Sequence, residues 1–420
     1  CDADRNLIDR EVGKLKERNQ KVDTYVDVRK LLEDKNIDAI ITATPNHWHS
    51  LVTIWACQAG KDVYVEKPVS HNIWEGRKMV EAARKYNRMV QAGTQRRSDE
   101  GLAEAIQYIR QGNLGKILRA RCYYFSPRGP IGKVNGPVPI PEGVDYNLWT
   151  GPATMEPLMR KNLHYDWHWQ WLYGNGDLGN NGIHFLDACR WALGYKSLAP
   201  RAMSFGGEFL WDDDRQTPNT QVAFYDYEPA PIIFEMRNLP RKKGDSAMDV
   251  TYRRTRADTV IECEGGYFAG GWAYDYNDKK IRQFKVSGGV QPEDWPEWMR
   301  SFIKAVRSRK VSDLNADILD GYLSTALCHM GNISYKLGRT ASSDEIAQST
   351  GSKKDLLDAY ERASEHLSLH DVDLEKTPMT LGPWLTMDSH TERFMGDFSK
   401  EANQYLSRNY REPFTVPADV

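Results

Sequence analysis

Apolar positions in the first hundred residues switch repeatedly between a helical period and short continuous runs. In "RNLIDREVGKLKERN", Leu7, Ile8, Val12 and Leu15 recur at helical spacing, and "VDTYV" then reads as a short strand. "DVRKLLED" predicts a helix capped by Asp27. "DAIITAT" (38–44) is a continuous apolar run, the pattern of a parallel strand covered on both faces. A helix closed at Gly60 ("PNHWHSLVTIWACQAG"), a strand ("DVYVEK"), a helix ("IWEGRKMVEAARKYN") and a strand ("MVQAGT") follow. This alternation predicts a doubly wound α/β domain over residues 1–98. Such sheets bind ligands beyond the C-terminal ends of their strands. The segments placed there are "TATPNHWH" (42–49), "EKPVS" (66–70) and "GTQRR" (93–97).

Beyond residue 98 the pattern changes. A helix ("EGLAEAIQYIRQGNLG") and a strand ("KILRARCYYF") lead into residues 127–170, where Pro, Gly and Trp interrupt every period. That stretch is too aromatic for a linker. After the helix "GIHFLDACRWALG" come "PRAMSFGGEF", "TQVAFYDY", "APIIFEMR", "DTVIECEGG" and "GYFAGG". These predict an α+β domain over 99–315 with a large, open, mainly antiparallel sheet. Its free face would suit the pairing of subunits. A helix near 316–337 is expected to rejoin the first domain, and 338–420 to hold a C-terminal helix (353–367) and an extended tail.

Composition narrows the function classes. Lys and Arg total 56 against 58 acids, a net charge of -2, so nothing favours nucleic acid or a membrane surface. No run of about 20 apolar residues predicts insertion into a bilayer. Six cysteines without a C-x-x-C pair read as free thiols. Thirteen Trp and 21 Tyr fit core packing and also clefts for sugar rings. The compartment, cytoplasmic or periplasmic, is left open.

Gly174, Gly176 and Gly179 have the G-x-G-x-x-G spacing, but the polar aromatic run "HYDWHWQWLY" precedes them instead of a strand. No acid follows at the ribose-binding distance either. These glycines therefore turn a loop. His164 and His168 are spaced for two ligands of a metal, without an evident third. Substrate contacts from His164, Asp166, His168, Trp167 and Trp169 are the better expectation.

"ITATPNHWHSLVTIWACQAGKDVYVEKPVS" followed by "GNNGIHFLDACRW" resembles the Gfo/Idh/MocA oxidoreductases, the group of glucose–fructose oxidoreductase and inositol dehydrogenase. The resemblance implies a Rossmann-type parallel sheet, here incomplete, plus the α+β domain. It implies NAD as cofactor, with Asp2 on the adenosine ribose. A carboxylate there disfavours the 2′-phosphate of NADP, although Arg5 is nearby. The first strand, its glycine turn and its helix are expected before Asp2, so the chain reads as N-terminally truncated by roughly one βα unit. Thr44, Pro45, Asn46, His49, Glu66, Lys67, Gln95 and Arg96 fall at the cofactor.

Lys67 and His184 are implied as the catalytic pair. A partly desolvated lysine beside a cationic nicotinamide loses its proton readily and can accept one from a hydroxyl. The family's substrate-contacting aspartate is Asn180 here, which cannot take a proton. Asn180 then binds a sugar hydroxyl and Asp177 supplies the carboxylate. The implied function is NAD-dependent oxidation of a sugar, polyol or glycoside hydroxyl by a homodimer or homotetramer. Two alternatives stand beside it. One is redox-neutral cleavage of a glycoside through a ketosugar; the other is a cofactor-free binding protein or fragment.

Overall fold

The computed structural model describes residues 1–246, 251–287, 296–351 and 353–420. Three short strands, β1 (Ala39–Thr42), β2 (Asp62–Val65) and β3 (Val90–Ala92), form a parallel sheet in that order. Helices α1 (Arg5–Glu17) and α2 (Val28–Glu33) precede β1, and α3 (Asn46–Gln58) and α4 (Ile73–Lys85) lie between the strands. Asp27 caps α2 through Arg29 N, and Asn72 with Glu75 forms a capping box on α4. Two expectations fail here. Residues 22–26 form no strand: Val22 is 48% exposed and no ladder reaches it. β1 is not covered on both faces, because Ile41 is 59% exposed.

α5 (Glu100–Arg110) leads into the second sheet through β4 (Ile117–Phe125). The short α6 (Tyr146–Thr150) and then α7 (Ile183–Leu193) follow. The sheet continues with β5 (Arg201–Gly207), β6 (Thr220–Tyr225), β7 (Ile232–Arg237), β8 (Ala257–Cys263), β9 (Gly266–Ala269), β10 (Trp272–Tyr274) and β11 (Lys280–Gln283). Helices α8 (Glu297–Ser308) and α9 (Ile318–Lys336) precede β12 (Arg339–Ala341). The main path runs β11-β10-β9-β8-β4-β7-β6-β5, then two strands of the tail, and among the described residues only β4 and β7 of this path pair in parallel. The sheet is thus large and mixed, with antiparallel pairing dominant.

α9 ties the two sheets together. It packs against β3, α4, α7 and β5. The approach is closest at Gly321, where an added Cβ would lie 2.3 Å from Ala92 Cβ. α8 covers the parallel sheet by laying Trp298 and Phe302 against Tyr64.

The outer face of the large sheet differs from expectation. α10 (Ser343–Thr350) and α11 (Lys354–Ser368) cover it over β5–β7, with Phe205, Phe224 and Ile233 packed against Leu356, Ala359 and Ala363. A layer of charge flanks this core, where buried Glu235 meets Arg237 at 3.1 Å and pairs with Arg362. The tail is not simply extended. β13 (Met379–Leu381) and β14 (Leu385–Asp388) both pair with β5, β15 (Arg393–Met395) pairs with β14, and α12 (Ser399–Gln404) follows.

Candidate active site

Lys67 follows β2 directly and meets the entry to α7. That entry is a π-helical turn, Leu178–Gly182, a form of backbone frequent at functional sites. Gly176 (φ +62°) makes the bend before it. Lys67 Nζ donates to the Asn180 carbonyl at 2.8 Å and to Asn180 Oδ1 at 3.2 Å. Burial lowers the Lys67 pKa below that of an ordinary lysine, while the Glu66 and Asp177 carboxylates oppose the shift.

Glu66 is itself pushed up by burial. Gln95 Nε2 bonds its Oε1 at 2.9 Å and the Tyr64 hydroxyl at 3.0 Å. A side chain at Gly93 would collide with Glu66 Oε2 at 2.8 Å, so the "GT" of "GTQRR" makes room for this carboxylate.

Asp177 is fully buried and pairs with Arg128 at 2.8 Å. Arg128 also reaches the hydroxyls of Tyr165 (3.2 Å) and Tyr124 (3.1 Å), and lies over the Trp169 ring. Sequence reasoning missed Arg128 and Tyr124. The available signal was an arginine just past the end of a strand, in "CYYFSPRGP", opening a stretch without regular pattern.

His184 makes no hydrogen bond among the described residues. Burial, then the Lys67 and Arg96 charges, push its imidazole down to about 3, so it is neutral at working pH. His168 bonds the Tyr165 carbonyl through Nδ1 at 2.6 Å. A neutral ring bound in this way carries its proton on Nδ1 and leaves Nε2 as an acceptor. Arg96 pairs with Asp258 and stacks over Phe185, so its charge is already engaged.

A second group of residues surrounds a cavity of about 500 Å³ beyond β1, with Asp2, Thr44, Pro45, Trp48 and Trp167 in its wall. The N-terminus of α3 lies here without a side-chain cap, which leaves its first N–H groups and positive dipole end available to an anion. Asn46 bonds Asn175 Oδ1 at 3.0 Å. His49 touches the carbonyls of Thr44 and Pro68 at 2.6 Å each, which ties the loop after β1 to the segment after Lys67. Burial holds His49 neutral, at about 4, so the ring donates to one of these carbonyls.

Four expected substrate residues are engaged elsewhere. His164 bonds Asp4 at 2.8 Å and lines the cavity beyond β1, because the cap residue of α1 supplies a carboxylate to it. Asp166 accepts from Asn162 N at 3.1 Å and pins its own turn. Trp169 is a packing surface between Arg128 and Arg215. Trp167 stacks on His168 with ring centroids 3.7 Å apart and faces the same cavity as Asp2.

Residues 6–94 match the Gfo/Idh/MocA oxidoreductase family model with an NAD-binding Rossmann fold, and residues 130–236 match that family's C-terminal alpha/beta domain. The chain belongs to the Gfo/Idh/MocA family. Its similarity to a levoglucosan dehydrogenase of Pseudarthrobacter phenanthrenivorans is 27% identity over 42% of this chain and 38% of that enzyme. A myo-inositol 2-dehydrogenase of Thermotoga maritima is 30% identical over 24% of this chain and 32% of the enzyme. The matches thus span about a third of these relatives. The WlbA dehydrogenase of Bordetella pertussis, solved with NADH and UDP-GlcNAcA, superposes with a TM-score of 0.55 at 18% identity. That superposition covers 79% of this chain and 85% of the other, and it shows a shared fold.

The family's cofactor, NAD, fits the residues present. The cavity beyond β1 joins apolar walls to the Asp2 carboxylate, an acceptor for ribose hydroxyls, and to an uncapped helix N-terminus, whose N–H groups donate to an anion.

Proposed function

We propose that this protein oxidises a secondary hydroxyl of a sugar, polyol or glycoside with NAD. The observation that carries the proposal is the buried Lys67, hydrogen-bonded to Asn180 beside the Asp177–Arg128 pair. Bound NAD supplies the acceptor for the hydrogen leaving carbon with its electron pair. In the neutral amine form Lys67 accepts the hydroxyl proton at Nζ. Asn180 Oδ1 holds the amine and can exchange that bond for one to a neighbouring hydroxyl. The neutral rings of His184 and His168 each offer a nitrogen lone pair to substrate or to the relayed proton. Arg128, fixed by Asp177 and bonded to the Tyr124 and Tyr165 hydroxyls, adds a positive charge near Lys67. Asp2, Thr44, Pro45, Asn46 and His49 hold the cofactor side, where the Asp2 carboxylate would repel a 2′-phosphate and so select NAD over NADP.

Subunits are proposed to pair through the outer sheet face that α11 leaves uncovered. Tyr276 is 45% exposed there, above the buried Tyr267 and Tyr274.

The test is NADH formation during incubation with a panel of sugars, polyols and glycosides. Accumulating NADH supports net oxidation, whereas glycoside cleavage without it would move the protein to the redox-neutral class. Lys67→Met should abolish turnover while NAD binding persists, because the hydroxyl loses its proton acceptor and the cofactor's anchors remain. His184→Ala should slow turnover by roughly 10²–10⁴-fold. Full turnover by Lys67→Met would overturn the assignment.

A further inference from the structure

A second cavity, of about 240 Å³, lies between the start of α4, the C-terminal half of α9, the 171–175 loop and the 405–409 segment. It contains none of Lys67, Asn180 and His184. Its polar lining has a surplus of donors. Lys336 makes no hydrogen bond and no ion pair among the described residues; its ammonium sits 4.1 Å from the centre of the Tyr405 ring and 5.3 Å from that of Trp171. Arg408 likewise has no ion-pair partner among the described residues. Its guanidinium donates to the Leu172 carbonyl at 2.9 Å and to His71 Nδ1 at 3.1 Å.

The Arg408 contact determines the His71 tautomer. A guanidinium only donates, so Nδ1 presents its lone pair and the neutral ring carries its proton on Nε2. That N–H is buried and has no acceptor among the described residues. Glu75, the carboxylate whose charge acts on Arg408, is already taken by His71 N (2.7 Å), Asn72 N (3.1 Å) and the Tyr410 hydroxyl (3.1 Å).

Two largely buried cations with no carboxylate in contact among the described residues, beside an orphaned donor, are costly to hold. Water would satisfy the donors but leave the charge unbalanced. A ligand with anionic oxygens answers both. We propose that this cavity binds a small oxyanion, a phosphate or carboxylate group, through Lys336, Arg408 and His71. The volume lies below the roughly 300 Å³ at which drug-sized pockets begin, so the ligand is a small metabolite or the free ion. Burial pushes Lys336 down to about 8, and a bound anion would return it toward an ordinary lysine.

The experiment is calorimetric titration of the protein with inorganic phosphate, then with acetate, against chloride at matched ionic strength. One saturable phosphate site is expected, weakened roughly tenfold or more by Lys336→Met and by Arg408→Gln, the scale of a lost charge-assisted bond. Competition by acetate extends the site to carboxylates; indifference to acetate assigns it to phosphate. Circular dichroism checks that the variants fold. A phosphate-dependent change in tryptophan fluorescence, lost in Trp171→Phe, places the ligand in this cavity without altering a donor. Absence of saturable binding by the unsubstituted protein overturns the proposal. So does binding that both donor substitutions leave unchanged.

Discussion

Lys67 acts as a base only when uncharged, so its environment sets the pH response. Burial lowers its pKa, and the carboxylates of Glu66 and Asp177 restrain the shift. The rate of alcohol oxidation should therefore rise with pH through a value below the 10.5 of an ordinary lysine. Asp177→Asn removes a restraining charge and frees the Arg128 cation, and both changes favour the neutral amine. The rising limb of kcat/KM against pH should move to lower pH in that variant. An unmoved or upward-shifted limb would show that Asp177 does not act on Lys67. Asn180→Asp restores a carboxylate beside Lys67 and should change substrate preference more than maximal rate, as read from relative kcat/KM across the sugar panel.

Among the elements, α9 matters most because it joins both sheets, and glycine sets its closest approach. At Gly321 an added Cβ would lie 2.3 Å from Ala92 Cβ, so Gly321→Val should push α9 away from β3. The expected loss is about 1–3 kcal/mol, read from denaturant unfolding. Turnover should fall too, since β3 leads into Gln95 and Arg96. Gly13, exposed in α1 with nothing within 4 Å of an added Cβ, is the contrast. Gly13→Ala should stabilise by roughly 0.5–1 kcal/mol through helix propensity. Equal effects of the two substitutions would contradict the packing account of Gly321.

For the whole molecule, buried histidines govern acid stability. Burial holds His47 and His329 down to about 3 and His49 to about 4, against 6.5 when free. Between those values the unfolded chain binds protons that the fold excludes, so stability falls as pH drops below about 6.5. Each such histidine contributes about 1.4 kcal/mol per pH unit in that window. Glu75, raised to about 7, works in the opposite direction and offsets one of them. Tm should decline from pH 6.5 toward pH 4, with a shallower slope in His329→Gln; a flat Tm profile would refute this. Subunit pairing belongs to the same scale. Light scattering should show a dimer or tetramer, and a strict monomer at micromolar concentration would exclude pairing through the tyrosine-rich face.

Local pattern determined most of the alternating elements of the first domain, the cap at Asp27, and the loops that carry Thr44, Lys67 and Gln95. These features are legible because period, cap chemistry and turn residues act over a few positions. The resemblance carried by "EKPVS" and "GNNGIHFLDACRW" led further, to Lys67, Asn180 and His184, and the fold brings Lys67 and Asn180 into contact. Neither source reached Arg128, because its partner Asp177 is 49 residues away and only tertiary packing joins them. The aromatic run around His164 gave no hint that its ring nitrogen bonds Asp4, 160 residues earlier. The expected free sheet face was likewise overtaken by α11, whose apolar stripe has no signature naming the surface it covers. Which side chains share a pocket depends on long-range packing, and the one-dimensional pattern records only that each stripe must be buried somewhere.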